Sequence, residues 1–195
     1  MKARHDEAMK AMKSKHEIDI AKVKGKVNDN DQYPRKNNLI FGNVWLPDWA
    51  KQRDCNGFEL ANYVAFNLNT FLPMLHTPVT PYNIDITHPL RNNRDGKSVI
   101  IVRFVNRHIR HDIYNNRESL LNLGISVSEH LTRTNLALFR QAEAIVGKQN
   151  VWSYDCKIYA LSRGKQISLR NERSLSFLHP TRFADRSDNN EVTTH

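Results

Sequence analysis

His108 and His111 stand three residues apart, a spacing that puts two imidazoles on one face of a helix, where they could hold a metal ion. No third ligand follows nearby, so no metal site is expected and the pair reads as polar residues at a helix start. Arg107 and Arg110 share that turn, and guanidinium groups so placed suit phosphate. Arg103, at the end of an apolar run, is either a nucleic-acid contact or an ordinary exposed strand residue. Further along, Tyr154 and Tyr159 are interleaved with Lys157, Arg163 and Lys165, and the spacing does not say which side they and Trp152 face. Aromatic rings stack on bases and cations meet phosphates, which is the combination that single-stranded nucleic acid calls for. Cys55 and Cys156 are far apart and lack CxxC spacing, which argues against a disulfide framework or a cysteine zinc site. No phosphate-binding loop, dinucleotide fingerprint, zinc-protease motif or nucleophile elbow occurs, and the carboxylates are scattered. The chain is expected to be no enzyme and to need no cofactor.

The 195 residues carry 29 Lys and Arg against 20 Asp and Glu, a formal net charge of +9. That excess favours a polyanionic partner. It is unevenly spread: residues 1–38 carry +4, residues 39–131 only +1 and residues 132–195 again +4. No run approaches the roughly 20 apolar residues that span a bilayer, and the lysine-rich start lacks the apolar stretch of a signal peptide. A soluble intracellular protein is therefore expected, with no membrane and no small-molecule substrate.

From Met1 to Val27 there is no Pro and one Gly among good helix formers, which predicts a helix. A heptad register places Met9, Lys13, His16, Ile20, Val23, Val27 and Asn30 at its a and d positions, an imperfect coiled-coil seam; a solvated basic helix or a disordered arm fits the periodicity as well. Asn28 to Pro34 should end the helix. Asn38–Leu46 reads as a strand and Cys55–Leu72 as a helix, with Asp54 placed as its cap. Tyr82–His88 alternates as a half-buried strand, Asn92–Gly96 forms a turn, and Ser98–Val105 is the strongest strand. A helix from His108 to Leu121 and a strand at Ile125–Ser128 follow.

This order, βαββαβ in about 90 residues, predicts an α+β, ferredoxin-like and RRM-like domain, with two helices on one face of four antiparallel strands. In RNA-recognition domains the exposed face stacks bases on aromatics of the first and third strands. Here those positions hold Ile40, Val99 and Ile101, so stacking on this sheet is not expected. Val99 and Ile101 read instead as facing another protein surface. Trp45, Trp49 and Phe58 read as a cover over the end of the core. Thr132–Val146 then reads as a helix, with Leu136, Phe139 and Ala142 or Ala144 as its apolar set and Gly147 as its end. Val151–Leu161 and Gln166–Leu169 read as a hairpin.

Several stretches resemble, in order and spacing, the first-open-reading-frame protein of LINE-type retrotransposons. They are Arg35-Lys36-Asn37-Asn38-Leu39-Ile40, Ile84 to Leu90, Ile100 to Phe104, Ile125 to Thr132, Asn135 to Ala142 and Trp152 to Tyr159. The resemblance spans roughly residues 33–171. It implies a trimerising coiled coil, an RRM-like domain and a small C-terminal domain that together grip single-stranded RNA or DNA, package element RNA and act as a nucleic-acid chaperone. It also implies that Arg35, Lys36, Arg103, Arg133 and Arg140 contact the nucleic acid. With the residues picked out by type, the expected binding set is Arg35, Lys36, Arg103, Arg107, Arg110, Arg133, Arg140, Lys157, Tyr159, Arg163 and Lys165.

The expected organisation is a helix over 1–31, an RRM-like domain over 32–131, a small α+β C-terminal nucleic-acid-binding domain over 132–173 and a disordered tail over 174–195. The protein is expected to be a homo-oligomer in a cytoplasmic ribonucleoprotein, with the nucleus as a second location. The competing reading is a protein–protein adaptor whose ferredoxin-like sheet binds another polypeptide, its charge serving solubility alone.

Overall fold

The computed structural model describes residues 2–52, 55–92 and 97–179, which form an α+β chain of two compact units, residues 1–134 and 135–195. The expected turn at Asn92–Gly96, the cap at Asp54 and the final stretch from Arg182 fall wholly or largely outside the described residues.

Helix α1 (Lys2–Gln32) ends within the Asn28–Pro34 stretch expected to end it, one residue past the expected boundary at 31. Long-range hydrogen bonds hold this last turn helical. Thr132 donates its Oγ1 proton to Asn28 Oδ1 at 2.6 Å and its backbone N–H to Gln32 Oε1 at 2.8 Å, while Gln32 Nε2 donates to the His130 carbonyl at 2.9 Å. Pro34, at the start of the 3-10 turn Tyr33–Asn37, ends the helix.

Strand β1 (Asn38–Val44), helix α2 (Gly57–Phe71), strands β2 (Ile84–Asn92) and β3 (Ser98–Phe104), helices α3 (Arg107–Asn115) and α4 (Arg117–Asn122) and strand β4 (Ser126–Glu129) follow. The strands pair antiparallel in the order β2-β3-β1-β4. One face of this sheet presents Leu39, Phe41, Ile100, Val102 and Phe104 to a core shared with Leu60, Val64 and Leu68 of α2 and Ile113 and Leu120 of α3 and α4. The cap of α2 is Asn56, whose Oδ1 accepts from the N–H of Phe58 and Glu59. The single helix expected over His108–Leu121 breaks at Asn116, which ends α3 and starts α4, and Leu121 is exposed.

Strand β2 departs from the expected alternation. Its register on β3 shifts between Ile84 and Ile86, so Ile84 is buried, Ile86 is exposed and Thr87 enters the inner face. A bulge of this kind re-aims side chains that a strict period of two would put together. Pro89 is tolerated because β2 is an edge strand.

The second unit holds helix α5 (Arg133–Val146), which begins two residues before the unit boundary, and strands β5 (Val151–Tyr154), β6 (Lys157–Ser162) and β7 (Lys165–Leu169), paired antiparallel in that order. The stretch expected as one strand is two, joined through Asp155 and Cys156, both left-handed with φ of 49° and 61°. With Arg163 and Gly164 making the next turn at φ of 50° and 75°, the expected hairpin becomes a three-stranded sheet. Gly147, φ 87°, follows α5 as expected. The buried positions of α5 are Leu138, Ala142 and Val146, and Leu136 is exposed. Disorder does not begin at residue 174: Glu172–Phe177 forms a 3-10 turn capped by Asn171, and Leu178 is buried with Val151, Ile158 and Leu169.

Candidate nucleic-acid interface

The second unit separates its residues cleanly by face. Alternation buries Val151, Ser153, Ile158, Ala160 and Leu169 against α5 and turns Trp152, Tyr154, Lys157 and Tyr159 to the opposite side. Trp152 and Tyr159 are register partners, and their rings lie 6.0 Å apart at 20°, a stacked pair. Tyr154 pairs with Lys157 on the same face, beside the stack, and both are exposed. Ser168, partner of Tyr159, continues the face on β7. The result is an aromatic platform with a lysine at its edge, built on backbone held by two-residue turns.

The other expected cations of this unit do not share that face. Lys165 is the register partner of Ser162, which belongs to the buried side, so it emerges on the helix side of the sheet. Arg140 is exposed on α5, two residues from the buried Leu138, and therefore points away from the sheet. Arg163 is exposed at the β6–β7 turn, and Arg133, also exposed, opens α5. A single cationic surface through all of these is not what the unit builds.

In the first unit the cations gather where α1 meets β1. Arg35 donates from Nη1 to His130 Nε2 at 2.8 Å and from Nη2 to Asp31 Oδ1 at 3.1 Å, so it is engaged internally. His130 Nδ1 lies 2.9 Å from the Asn38 amide. Because a guanidinium only donates, Nε2 must accept and the neutral ring carries its proton on Nδ1, which is satisfied when the Asn38 amide turns Oδ1, otherwise a buried acceptor without a partner, toward the ring in place of Nδ2. Burial first, then the charge of Arg35, hold His130 below its ordinary value; Asp31 pulls it up and His88 pushes it down. Lys36 is half-buried. Arg107 is exposed, donates to Asn37 Oδ1 at 3.1 Å and lies 5.7 Å from the ring centroid of the exposed Tyr33. Arg103 faces out from β3 and pairs with Asp85 at 3.2 Å, each side chain about half exposed.

Arg110 is a correction. It was expected as a phosphate contact, but it is 3% exposed, bonded through Nη2 to the buried Glu129 Oε1, and stands over the Tyr114 ring at 5.1 Å. Its partner lies on another element, so nothing in its own turn announces the burial. Ile101 is also buried, on the face where the sequence suggested a partner surface, whereas Val99 is half-buried. Trp49 meets Tyr63 edge-on and Phe58 meets Tyr82, but Trp45 is 64% exposed.

Among the described residues no three His, Cys, Asp or Glu side chains gather as a metal site requires, and no helix is long and apolar enough to cross a membrane. No family model and no curated protein matches the chain.

Proposed function

We propose that the chain is a single-stranded nucleic-acid-binding protein, with RNA as its natural partner, and that the β5–β7 sheet is its base-stacking surface. The observation that carries this reading is the stacked Trp152–Tyr159 pair on the solvent face of that sheet, flanked by Tyr154 and Lys157. Rings on a solvent face leave apolar area in water, and a nucleobase covers such area without demanding a sequence. The first unit contributes phosphate contacts through Arg107, Lys36 and the outward Arg103. Its strand order β2-β3-β1-β4, with α2, α3 and α4 on one face, supports reading it as a ferredoxin-like, RRM-like domain. In this reading the protein is not an enzyme.

The resemblance to LINE-type first-open-reading-frame proteins extends the proposal to packaging of element RNA and a chaperone role in a cytoplasmic or nuclear ribonucleoprotein. Exposed Met9, Met12, Ile20, Val23 and Val27 along α1 support assembly with further copies through that helix, as a trimer by the same resemblance.

Filter binding with single-stranded RNA and DNA across a salt series tests the proposal. Binding that weakens steeply between 50 and 200 mM salt, roughly as the 0.7 power of salt per phosphate contact, is the expected result. Failure to retain either nucleic acid at low salt would overturn it in favour of a protein–protein adaptor.

A further inference from the structure

The first unit contains a cavity that the nucleic-acid reading does not use. Strand β1 pairs with β3 in register as far as Phe41 and Ile100, then shifts before Val44 rejoins at Ser98. The irregularity falls at Gly42 and Asn43. Asn43 is left-handed at φ 61°, and Gly42 lies so close to β4 that a Cβ there would sit 2.5 Å from Ser126 Oγ. The bulge carries Val44 and Trp45 away from the straight course of the strand. Between them, α2 and the α4–β4 connection lies a cavity of about 110 Å³, lined among others by Phe41, Trp45, Tyr63, Asn67, Phe71 and Ile125. It lies on the helix side of the sheet, where Phe41 and Ile100 belong to the core.

The lining specifies the chemistry of an occupant. It contains no charged side chain, so an ion would be desolvated without compensation. A buried water needs two to four polar partners. The polar side-chain groups here are nearly spent: Tyr63 donates its hydroxyl proton to the Trp45 carbonyl at 2.9 Å, and Asn67 Nδ2 donates to the Tyr63 carbonyl at 2.7 Å. Two side-chain acceptors remain, the Asn67 carbonyl oxygen and the Tyr63 hydroxyl oxygen, and the loss expected on replacing Asn67 tells them apart. Enclosed apolar cavities of about 150 Å³ admit benzene; this space is smaller and partly open to solvent, so its scale is one ring at most. Four aromatic side chains, Phe41, Trp45, Tyr63 and Phe71, offer edges and faces to such a ring. The mostly exposed Trp45 marks the way in.

We propose that this cavity is a binding site for one small uncharged aromatic molecule bearing a hydrogen-bond donor, its ring among Phe41, Trp45, Tyr63 and Phe71 and its donor on Asn67 Oδ1. The site is independent of the β5–β7 platform, so either proposal can fail without the other.

Phenol and benzene are the probes, titrated to millimolar concentration into the full chain and followed by amide and methyl NMR shifts. Saturable shifts centred on Val44, Val64, Leu68 and Ile125 are expected, with phenol bound about five-fold tighter than benzene, the worth of one neutral hydrogen bond. Asn67→Leu should equalise the two probes while benzene binding persists, and Ile125→Phe should abolish both by filling the space. Should Ile125→Phe not fold by circular dichroism, Val44→Phe makes the same test at the other wall. No saturable shift with either probe, or shifts unaffected by the filling variant, would overturn the site; equal affinity for the two probes in the unaltered chain would overturn the role of Asn67.

Discussion

Arg110 and Glu129 form a buried ion pair, their side chains 4% and 0% exposed, linking α3 to the last residue of β4. Desolvating two charges cancels much of their attraction, but removing one leaves the other buried and unpaired. Glu129→Ala or Arg110→Ala should therefore cost about 3–5 kcal/mol of stability. Arg110 Nε has no hydrogen-bond partner, so the pair is incompletely satisfied and its apolar replacement should be tolerated. Arg110→Met with Glu129→Leu is expected to bring the urea midpoint close to that of the unaltered chain. A double variant as unstable as the singles would show that the pair contributes more than relief from an orphan charge.

Stability should also depend on pH through His130. Its neutral ring accepts from Arg35, and protonation would set two donors against each other. Its value in the fold is held below the ordinary value of about 6.5, so the unfolded chain binds the proton first. The contribution is fully present above about pH 6.5 and is lost as pH falls through the folded value. Urea unfolding at pH 8 and at successively lower pH should show this decline, with a smaller one in His130→Gln. Identical pH profiles for the two proteins would exclude the Arg35–His130 contact as its source.

The residues that made the first unit legible are those of local pattern. Ser98–Val105 is apolar enough to announce a strand, and Ser98–Phe104 is one. What escaped depends on distance in sequence. The end of α1 falls within Asn28–Pro34, where its turn formers and Pro34 place it, but the bonds from its last turn to Thr132 and His130, about a hundred positions away, could not be read locally. Arg110 looks like a surface cation until Glu129 is brought beside it. Asp155-Cys156 lacks the Gly that usually marks a two-residue turn, which hid β5 and β6 as separate strands. The side on which Trp152 and Tyr159 emerge follows from that turn, so the face became readable only with the register.

The aromatic platform gives a graded expectation. Trp152→Ala and Tyr159→Ala should each weaken single-stranded RNA binding by about 1–3 kcal/mol if a base stacks on the ring removed. The slope of affinity against salt should stay unchanged, because no charge is lost. Lys157→Ala should do the reverse, lowering the slope by about 0.7 for one phosphate with a smaller effect at high salt. Titrations at several salt concentrations separate the two classes, and a platform variant that changed only the slope would contradict stacking.

Arg103 leads to a less obvious outcome. Its guanidinium is held at 3.2 Å by Asp85, which the β2 bulge places beside it, so its charge is already answered. Arg103→Ala alone would also leave Asp85 facing the nucleic acid unopposed and would exaggerate the importance of the arginine. Asp85→Asn isolates the question: it frees Arg103 for phosphate without removing it, and binding should tighten with the salt slope steeper by about 0.7. The net charge rises by one in this variant, and a charge gained anywhere attracts a polyanion. Asp48→Asn supplies the control, since Asp48 is exposed and pairs with Lys51 at 2.8 Å in the turn after β1. If Asp48→Asn tightens binding as much as Asp85→Asn does, general attraction accounts for both and Arg103 is an ordinary strand residue. A gain confined to Asp85→Asn, abolished by adding Arg103→Ala, identifies Arg103 as a phosphate contact restrained by its neighbour.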